Sequence, residues 1–456
     1  MKSFFEPESA VLIGASANPY RPGHQLFQNM NISCGDRFYP VNPRVDEIEG
    51  KKCYQSVLDI PEAADVAVIF ISAAGVPDAM EDCATRGIKR VIIESGGFAE
   101  TGLEGEKLQE RCAATARASG MRLWGPNCMG TINVHRTKVL SFLMTRMWKD
   151  SFIPGRVSLV VQSGMLSAGF LLHILSRTPF GLSKIASIGN KADVDEVDVL
   201  EYLVDDPETG VIGLYLESIR RGRRFFELCK NTTKPVVVLK GGRTSQGHSA
   251  AGSHTAALAQ DDAVLDAAFR QAGIVRAYGM TELMDLARCL EMGEVPPTDR
   301  VRVAVLTFSG GAGVVTSDDL HDYGMELAEL SPHTTARIKK VFPDWMDPAN
   351  PVDLYPAIEK NGPQNTMKES LEAVMEDPAV DAAYIHIFAP PVDRPIFDYD
   401  KLCEKLKSYQ KPVVVWIMGH AEASRKIQAE MESRGIPVAE EIQRGVRMLS
   451  AMTRRR

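Results

Sequence analysis

The chain has no CxxC pair, no apolar run as long as a membrane span, no excess of positive charge and no GxxxxGK[ST] loop. Each absence excludes something. Its eight cysteines (Cys34, Cys53, Cys83, Cys112, Cys128, Cys229, Cys289 and Cys403) are scattered without metal-type spacing. Most fall inside predicted helices or strands, so they read as reduced core thiols, with no metal site and no disulfide frame. A net charge of −7 argues against a nucleic-acid or anionic-membrane surface, and the closing Arg454-Arg455-Arg456 reads as a solvated tail. The first residues lack a signal h-region, which with the missing membrane span predicts a soluble cytoplasmic protein. Without a Walker loop there is no P-loop nucleotide site.

What is present is an ordinary globular composition, 45% hydrophobic and 24% charged, over 456 residues. At roughly 150 residues per domain that length predicts about three domains. Apolar strands alternate with amphipathic helices along the whole chain, the pattern of parallel sheets covered on both faces. Three such arrays follow one another, over residues 1–135, 150–295 and 300–456. A polar, Met-rich stretch, His135–Gly155, reads as a connector between the first two. Pro296-Pro297 marks a linker before the third.

In the first array, strand Ala10–Ile13 runs into Gly14-Ala-Ser16 and on through Arg21 and Gly23 to a helix. A glycine turn opening a helix after strand one offers backbone N–H groups to a phosphate, although the spacing is not GxGxxG. Strand two ends in Asn42-Pro43-Arg44 where NAD enzymes place an acid. A cation there suits a phosphorylated ribose, of either NADP or coenzyme A; the alternative is a solvated loop charge.

The second array holds three pieces. Gln162-Ser163-Gly164 turns a strand end into a helix and makes an anion site from N–H groups and a hydroxyl, unless it is a plain turn. Glu217 follows strand Val211–Leu216, at the end where parallel sheets bind ligands; it can orient an imidazole or cap a helix. His254 lies in Gly241–Ala259, a stretch with one leucine, one charge (Arg243) and two histidines. Such a stretch cannot pack a core, and a loop of small residues carrying an imidazole suggests a nucleophile that travels. His248, six positions earlier, is the solvated alternative. In the third array Ser309-Gly310-Gly311-Ala312-Gly313 opens a helix after strand one and is a second anion cradle.

Gly14-Ala-Ser16, Tyr39–Arg44, Gly50–Ser56, Gly96–Gly102 and Gly125-Pro-Asn-Cys-Met-Gly130 together resemble the CoA-binding domain of NDP-forming acyl-CoA synthetases, the superfamily of succinyl-CoA synthetase and ADP-forming acetyl-CoA synthetase. Ser253–Ala259 with Asp261 and Phe269–Ile274 is similar to the family's phosphohistidine segment, and Gly189-Asn190, Asp193–Asp198 and Asn350–Asp353 match further motifs. The resemblance covers nearly the whole chain. It implies a Rossmann-like CoA-binding domain followed by two flavodoxin-like ligase domains. Gly14, Ser16, Arg21, Asn42, Arg44, Ser72 and Glu94 would then line the CoA cleft, with Cys128 beside it in a structural role. His254 would carry the phosphoryl group, Glu217 would steady the imidazole, and helix N-termini at Ser163-Gly164 and Ser309–Gly311 would face the phosphate. Two residues depart from the family pattern: Ala256 and Gln260 replace glycines, which stiffens the loop.

No segment resembles the family's ATP-grasp domain. The resemblance therefore implies an α-type subunit whose ATP or GTP, with Mg, is held by a separate β-type ATP-grasp partner in a hetero-oligomer or homodimer. The acid is left open. Two other readings stand beside this one: a catalytically silent CoA-binding regulator or scaffold of the same fold, and an NADP-dependent oxidoreductase built on the first array.

Overall fold

The computed structural model describes residues 1–164, 169, 171, 172, 176, 180–247, 261–293, 300–391 and 396–453. These form two compact units, Met1–Ala287 and Arg288–Arg456.

In the first unit, β1 (Ala10–Ile13) and β2 (Phe38–Val41) precede a small antiparallel hairpin of β3 (Glu47–Ile48) and β4 (Lys51–Lys52). Then come β5 (Val66–Ile69), β6 (Arg90–Ile93) and β7 (Arg122–Trp124), and the parallel sheet has the order β2-β1-β5-β6-β7. Its strands are apolar on both sides because successive side chains point to opposite, equally covered faces. Val11 and Ile13 join Ile69, Val91 and Ile93 under helices Val76–Arg86 and Leu103–Ser119. Ala10 and Leu12 face the other way, into a cluster with Phe27, Met30 and Trp124.

That second cluster does not stop at the sheet. It continues through Phe4 and Phe5 to Val160 and Ile212 of the next sheet and Leu200 of the helix Glu196–Asp205, so the first two arrays share one core. The fully buried Trp124 donates its Nε1–H to the Ser187 carbonyl at 2.7 Å, and Phe5 stacks on Tyr202 at 5.1 Å.

The second sheet contains β8 (Thr131–Asn133), β9 (Lys138–Leu140), β10 (Ile153–Val161), β11 (Gly181–Ser187), β12 (Val211–Leu216), β13 (Val236–Lys240) and β14 (Val275–Ala277). Its order is β14-β13-β12-β10-β11-β8-β9, with β8 antiparallel to both β11 and β9. The sequence pattern predicts parallel strands only and misses this antiparallel edge. The His135–Gly155 stretch, expected as a connector, is part of the fold: it supplies all of β9, the helix Thr145–Ser151 and the start of β10. Buried Asn29 stitches it down. Its Nδ2 donates to the carbonyls of Ser141 (2.8 Å) and Leu143 (2.6 Å), and its Oδ1 accepts from Thr145 Oγ1 (2.7 Å) and Trp148 Nε1 (2.9 Å).

The second unit is built on β15 (Arg302–Thr307), β16 (Glu326–Leu327), β17 (Val352–Asp353), β18 (Ala382–Ala389), β19 (Val413–Gly419) and β20 (Val438–Ala439). The order is β16-β15-β18-β19-β20, with β17 pairing β15. Asn350 bolts this sheet: its Oδ1 accepts from Val305 N at 2.9 Å, and its Nδ2 donates to Val303 O (2.8 Å) and Ala328 O (2.9 Å). The Asn350–Asp353 motif thus has a structural task at its first residue.

One rule recurs in all three sheets. The first strand of each parallel run (β1, β10 or β15) lies between the next strand, β2, β11 or β16, and a later one, so the chain reverses direction across the sheet there. Ligands bind doubly wound sheets at that switch point. Gly14, Ser163-Gly164 and Ser309-Gly310 are the residues that follow these three strands.

Candidate functional site

At the first switch point, Gly14 adopts φ +105°, and a Cβ there would overlap the Phe70 carbonyl oxygen. A Cβ on Gly23 would in turn overlap the Gly14 carbonyl, so the loop lies directly on the start of helix Pro22–Cys34. Only residues without side chains allow so close an approach. Arg21 caps that helix from an exposed position, and the Ser16 hydroxyl accepts from Asn18 N at 3.1 Å. Across the cleft edge, Asn42 Nδ2 donates to Ala15 O at 2.7 Å while its Oδ1 accepts from Arg44 N at 2.9 Å. Asn42 therefore fastens two loops, and Arg44 is left exposed beside them. Ser72 is exposed where the chain turns after β5.

Glu94 is placed differently from these. It follows β6 but is only 4% exposed, and neither carboxyl oxygen makes a hydrogen bond of ordinary geometry among the described residues. Burial, opposed by the Phe142 backbone, pushes its carboxyl well above the usual glutamate range. A Cβ on Gly130 (φ +67°) would overlap its Oε1, and burial first, then the Glu94 charge, push the Cys128 thiol well above its usual range. The sign of the linkage follows. The folded state keeps the Glu94 proton above the pH at which the unfolded chain has lost it, so this group's contribution to stability is full below about pH 4.5 and falls as pH rises. Glu94→Gln is therefore expected to raise the melting temperature at pH 8 and to change it little at pH 4, as thermal unfolding at the two pH values will read.

At the second switch point β10 and β12 run side by side and their ends are cross-linked. Buried Gln162 accepts on Oε1 from Glu217 N at 2.8 Å and from Ser218 N at 3.2 Å, while its own N–H donates to Tyr215 O at 3.0 Å. Lys240, buried at the end of β13, donates Nζ to Glu217 O (2.7 Å) and Gly241 O (2.6 Å). The Tyr215 hydroxyl donates to Glu217 Oε1 at 3.3 Å. Burial first, and then the Glu217 charge, push this phenol up to about 12. Lys191 adds a further buried ammonium, bonded to Glu196 Oε2 (2.8 Å), Ser218 O (2.8 Å) and Ser218 Oγ (3.0 Å). Burial lowers the pKa of both lysines.

Glu217 is thus held through its backbone from two sides, at the root of the stretch that carries His254. Gly241 N–H donates to Leu216 O at 2.8 Å, fixing where that stretch leaves the sheet. His254 itself, with His248, Ala256 and Gln260, lies outside the described residues, as do 165–168 after Ser163 and Gly164. Lys191 and Lys240 were not picked out by the sequence pattern, and Gln162 entered only as part of the turn before Ser163. The signal of Gln162 and Lys240 is polarity at the end of an apolar strand.

The motif Gly189–Asp198 binds the two arrays of the first unit together. Asn190 Nδ2 donates to Glu100 Oε2 (2.6 Å) and Gln109 Oε1 (3.0 Å), and Asp193 accepts from Arg122 Nε at 2.9 Å. Asp195 caps helix Glu196–Asp205 through Val197 N and Asp198 N.

In the second unit Ser309 is the N-cap of helix Gly310–Asp322, its hydroxyl accepting from Ala312 N at 3.4 Å. Asp353 stands beside the first turn, its Oδ2 3.1 Å from where a Gly310 Cβ would be. Among the described residues no group of three or more His, Cys, Asp or Glu side chains has a metal-site arrangement, and no helix is long and apolar enough to cross a membrane.

Comparison with known proteins matches these three regions in turn. A CoA binding domain model matches residues 8–133, a succinyl-CoA ligase like flavodoxin domain model 154–290, and a Ligase-CoA domain model 303–455. The ADP-forming acetate–CoA ligase II subunit alpha of Pyrococcus furiosus is 34% identical over 443 residues, 96% of this chain and 94% of that protein. The chain belongs to the NDP-forming acyl-CoA synthetase family. The Archaeoglobus fulgidus ADP-forming acetate–CoA ligase II is 36% identical across 100% of this chain, which spans 67% of that longer protein. A dinucleotide forming acetyl-coenzyme A synthetase 1 from Ca. Korarchaeum cryptofilum, solved with phosphate and ADP, superposes with a TM-score of 0.87 at 32% identity, covering 99% of this chain and 96% of that one. The model matching the first sheet is a CoA binding domain, which favours coenzyme A over NADP as the nucleotide of that sheet.

Proposed function

We propose that the chain is the CoA-binding, phosphohistidine-bearing part of an ADP-forming acid–thiol ligase, using His254 as a phosphoryl carrier. The nucleotide's terminal phosphoryl group moves to a His254 ring nitrogen, releasing the diphosphate. A substrate carboxylate oxygen then takes it from the histidine, giving an acyl phosphate. The CoA sulfur attacks the acyl carbon, the C–O bond to phosphate breaks, and the thiol proton leaves to solvent. Read backwards, an acyl-CoA and phosphate charge the histidine.

The observation that carries this reading is Glu217, a carboxylate at the end of β12 whose backbone is pinned by Gln162 and Lys240 beside the departure point of the His254 stretch. A fixed carboxylate can hold one imidazole N–H and leave the other nitrogen nucleophilic. The Gly14–Gly23 approach, which any side chain would fill, fits a backbone cradle for the phosphates of coenzyme A, with Arg21 and Arg44 exposed at its edge. We assign Ser163-Gly164 and Ser309–Gly311 to the phosphoryl group, and the nucleotide with its Mg to an ATP-grasp unit carried on a separate β-type subunit. Acetate is the acid named for the two relatives above, while others are named for 4-hydroxybutyrate and trans-feruloyl-CoA, so acetate is the first of several carboxylates to try. Incubating the full chain with acetyl-CoA and radiolabelled phosphate should give an acid-labile phosphoprotein. Tight CoA binding without any label, with or without the ATP-grasp partner, would instead support a silent CoA-binding protein.

A further inference from the structure

Beneath the Ser309 cradle lies a histidine with no charged partner among the described residues. His386 sits on β18, beside the end of β15, 2% exposed and ringed by Thr307, Thr316, Tyr384 and Trp416. Burial holds its pKa down, to about 3, so the ring is neutral. Both ring nitrogens are used. Nδ1 lies 2.8 Å from Thr307 Oγ1 and Nε2 lies 3.2 Å from Thr316 Oγ1. Each hydroxyl then reaches the first turn of the cradle helix. Thr307 Oγ1 accepts from Ser309 N at 3.0 Å and donates to Ser309 O at 2.9 Å, while Thr316 Oγ1 donates to Ala312 O at 2.8 Å. Ser309 and Ala312 are the two residues joined by the N-cap bond.

Thr307 and Thr316 each have one hydroxyl proton, and a neutral ring has one N–H. With the ring proton on Nδ1, Thr307 accepts from the histidine and from Ser309 N and keeps its bond to Ser309 O, while Thr316 turns its proton to Nε2; with the ring proton on Nε2 the two threonines exchange these roles. An apolar residue at 386 would avoid burying two ring nitrogens, so a purely structural need is poorly served by histidine. What the imidazole adds is a rigid strut between two hydroxyls that grip the same helical turn from either end.

We propose that His386 is a positioning residue for the Ser309–Ala312 anion cradle, acting through Thr307 and Thr316. The proposal rests on the reading of that cradle as a phosphoryl site. Loosening the strut lets the first-turn N–H groups drift from the position an oxyanion needs, which weakens phosphate capture without touching CoA.

The test is single-turnover labelling of the full chain with acetyl-CoA and radiolabelled phosphate. His386→Gln and Thr307→Val should each raise the half-saturating phosphate concentration roughly five- to tenfold, the effect of losing about one hydrogen bond. The final extent of labelling and the half-saturating acetyl-CoA concentration should stay as in wild type. Thr307→Ser, which keeps the hydroxyl, should restore phosphate affinity. Ser317→Ala, which removes a helix bond to Gly313 O at 2.8 Å away from the relay, should not change it. Nitrogen-15 spectra should show a neutral His386 ring with one nitrogen protonated. Unchanged phosphate dependence in both His386→Gln and Thr307→Val, or a cationic His386 ring at neutral pH, would overturn the proposal. A wild type that takes no label removes the cradle reading itself, and this inference with it.

Discussion

Replacing His254 by alanine is expected to abolish the acid-labile phosphoenzyme and to lower acyl-CoA turnover by roughly 10⁴-fold or more, because a covalent route has no substitute once its nucleophile is gone. The expectation is specific to this imidazole. His248→Ala removes a second histidine from the same stretch of small residues and should label like wild type. Coenzyme A should bind the His254→Ala chain as tightly as before, since the Gly14–Gly23 cradle belongs to the first sheet. Labelling by phosphate and acetyl-CoA, read beside CoA binding, separates loss of chemistry from loss of fold. Equal labelling of His254→Ala and wild type would end the phosphohistidine reading.

The second large effect is expected at Glu217. Glu217→Gln keeps the size of the side chain and the backbone bonds from Gln162 and Lys240, and it still offers an oxygen to the Tyr215 hydroxyl. What it loses is the negative charge that steadies an imidazole as charge develops on it. Phosphorylation should slow by about 10²–10³-fold, within the range for a group that assists proton movement, while phosphate and CoA affinities stay close to wild type. Rapid-quench measurement of label formation gives the rate. If the rate is unchanged, Glu217 is merely a residue at a strand end.

Much of this was legible in the sequence because buried parallel strands are written as short runs of Val, Ile, Leu and Ala. The runs Ala10–Ile13, Arg90–Ile93, Arg122–Trp124 and Val211–Leu216 coincide with β1, β6, β7 and β12. The three anion loops were legible for a related reason: glycine and serine after the first strand of a doubly wound sheet must lie at its switch point. The β8–β9 hairpin escaped because strands of three residues, Thr-Ile-Asn and Lys-Val-Leu, carry no readable period. The contacts of Gln162 and Lys240 escaped because a polar residue ending an apolar strand does not announce which carbonyl or amide it will meet. His386 was read simply as part of a strand, since its partners Thr307 and Thr316 are 79 and 70 residues away. The resemblance assigns Glu94 to a cleft but carries no sign that its carboxyl is buried beside Gly130.

The unbroken packing from Phe4, Phe5 and Trp124 through to Val160 and Ile212 has a consequence for how this protein can be cut and recombined. A fragment ending near residue 135 would lay bare one half of that packing, and a fragment starting near 150 the other half. The part assigned to the thiol donor and the part that presents Glu217 share one core, so a cut between them is expected to leave two fragments with bared apolar faces.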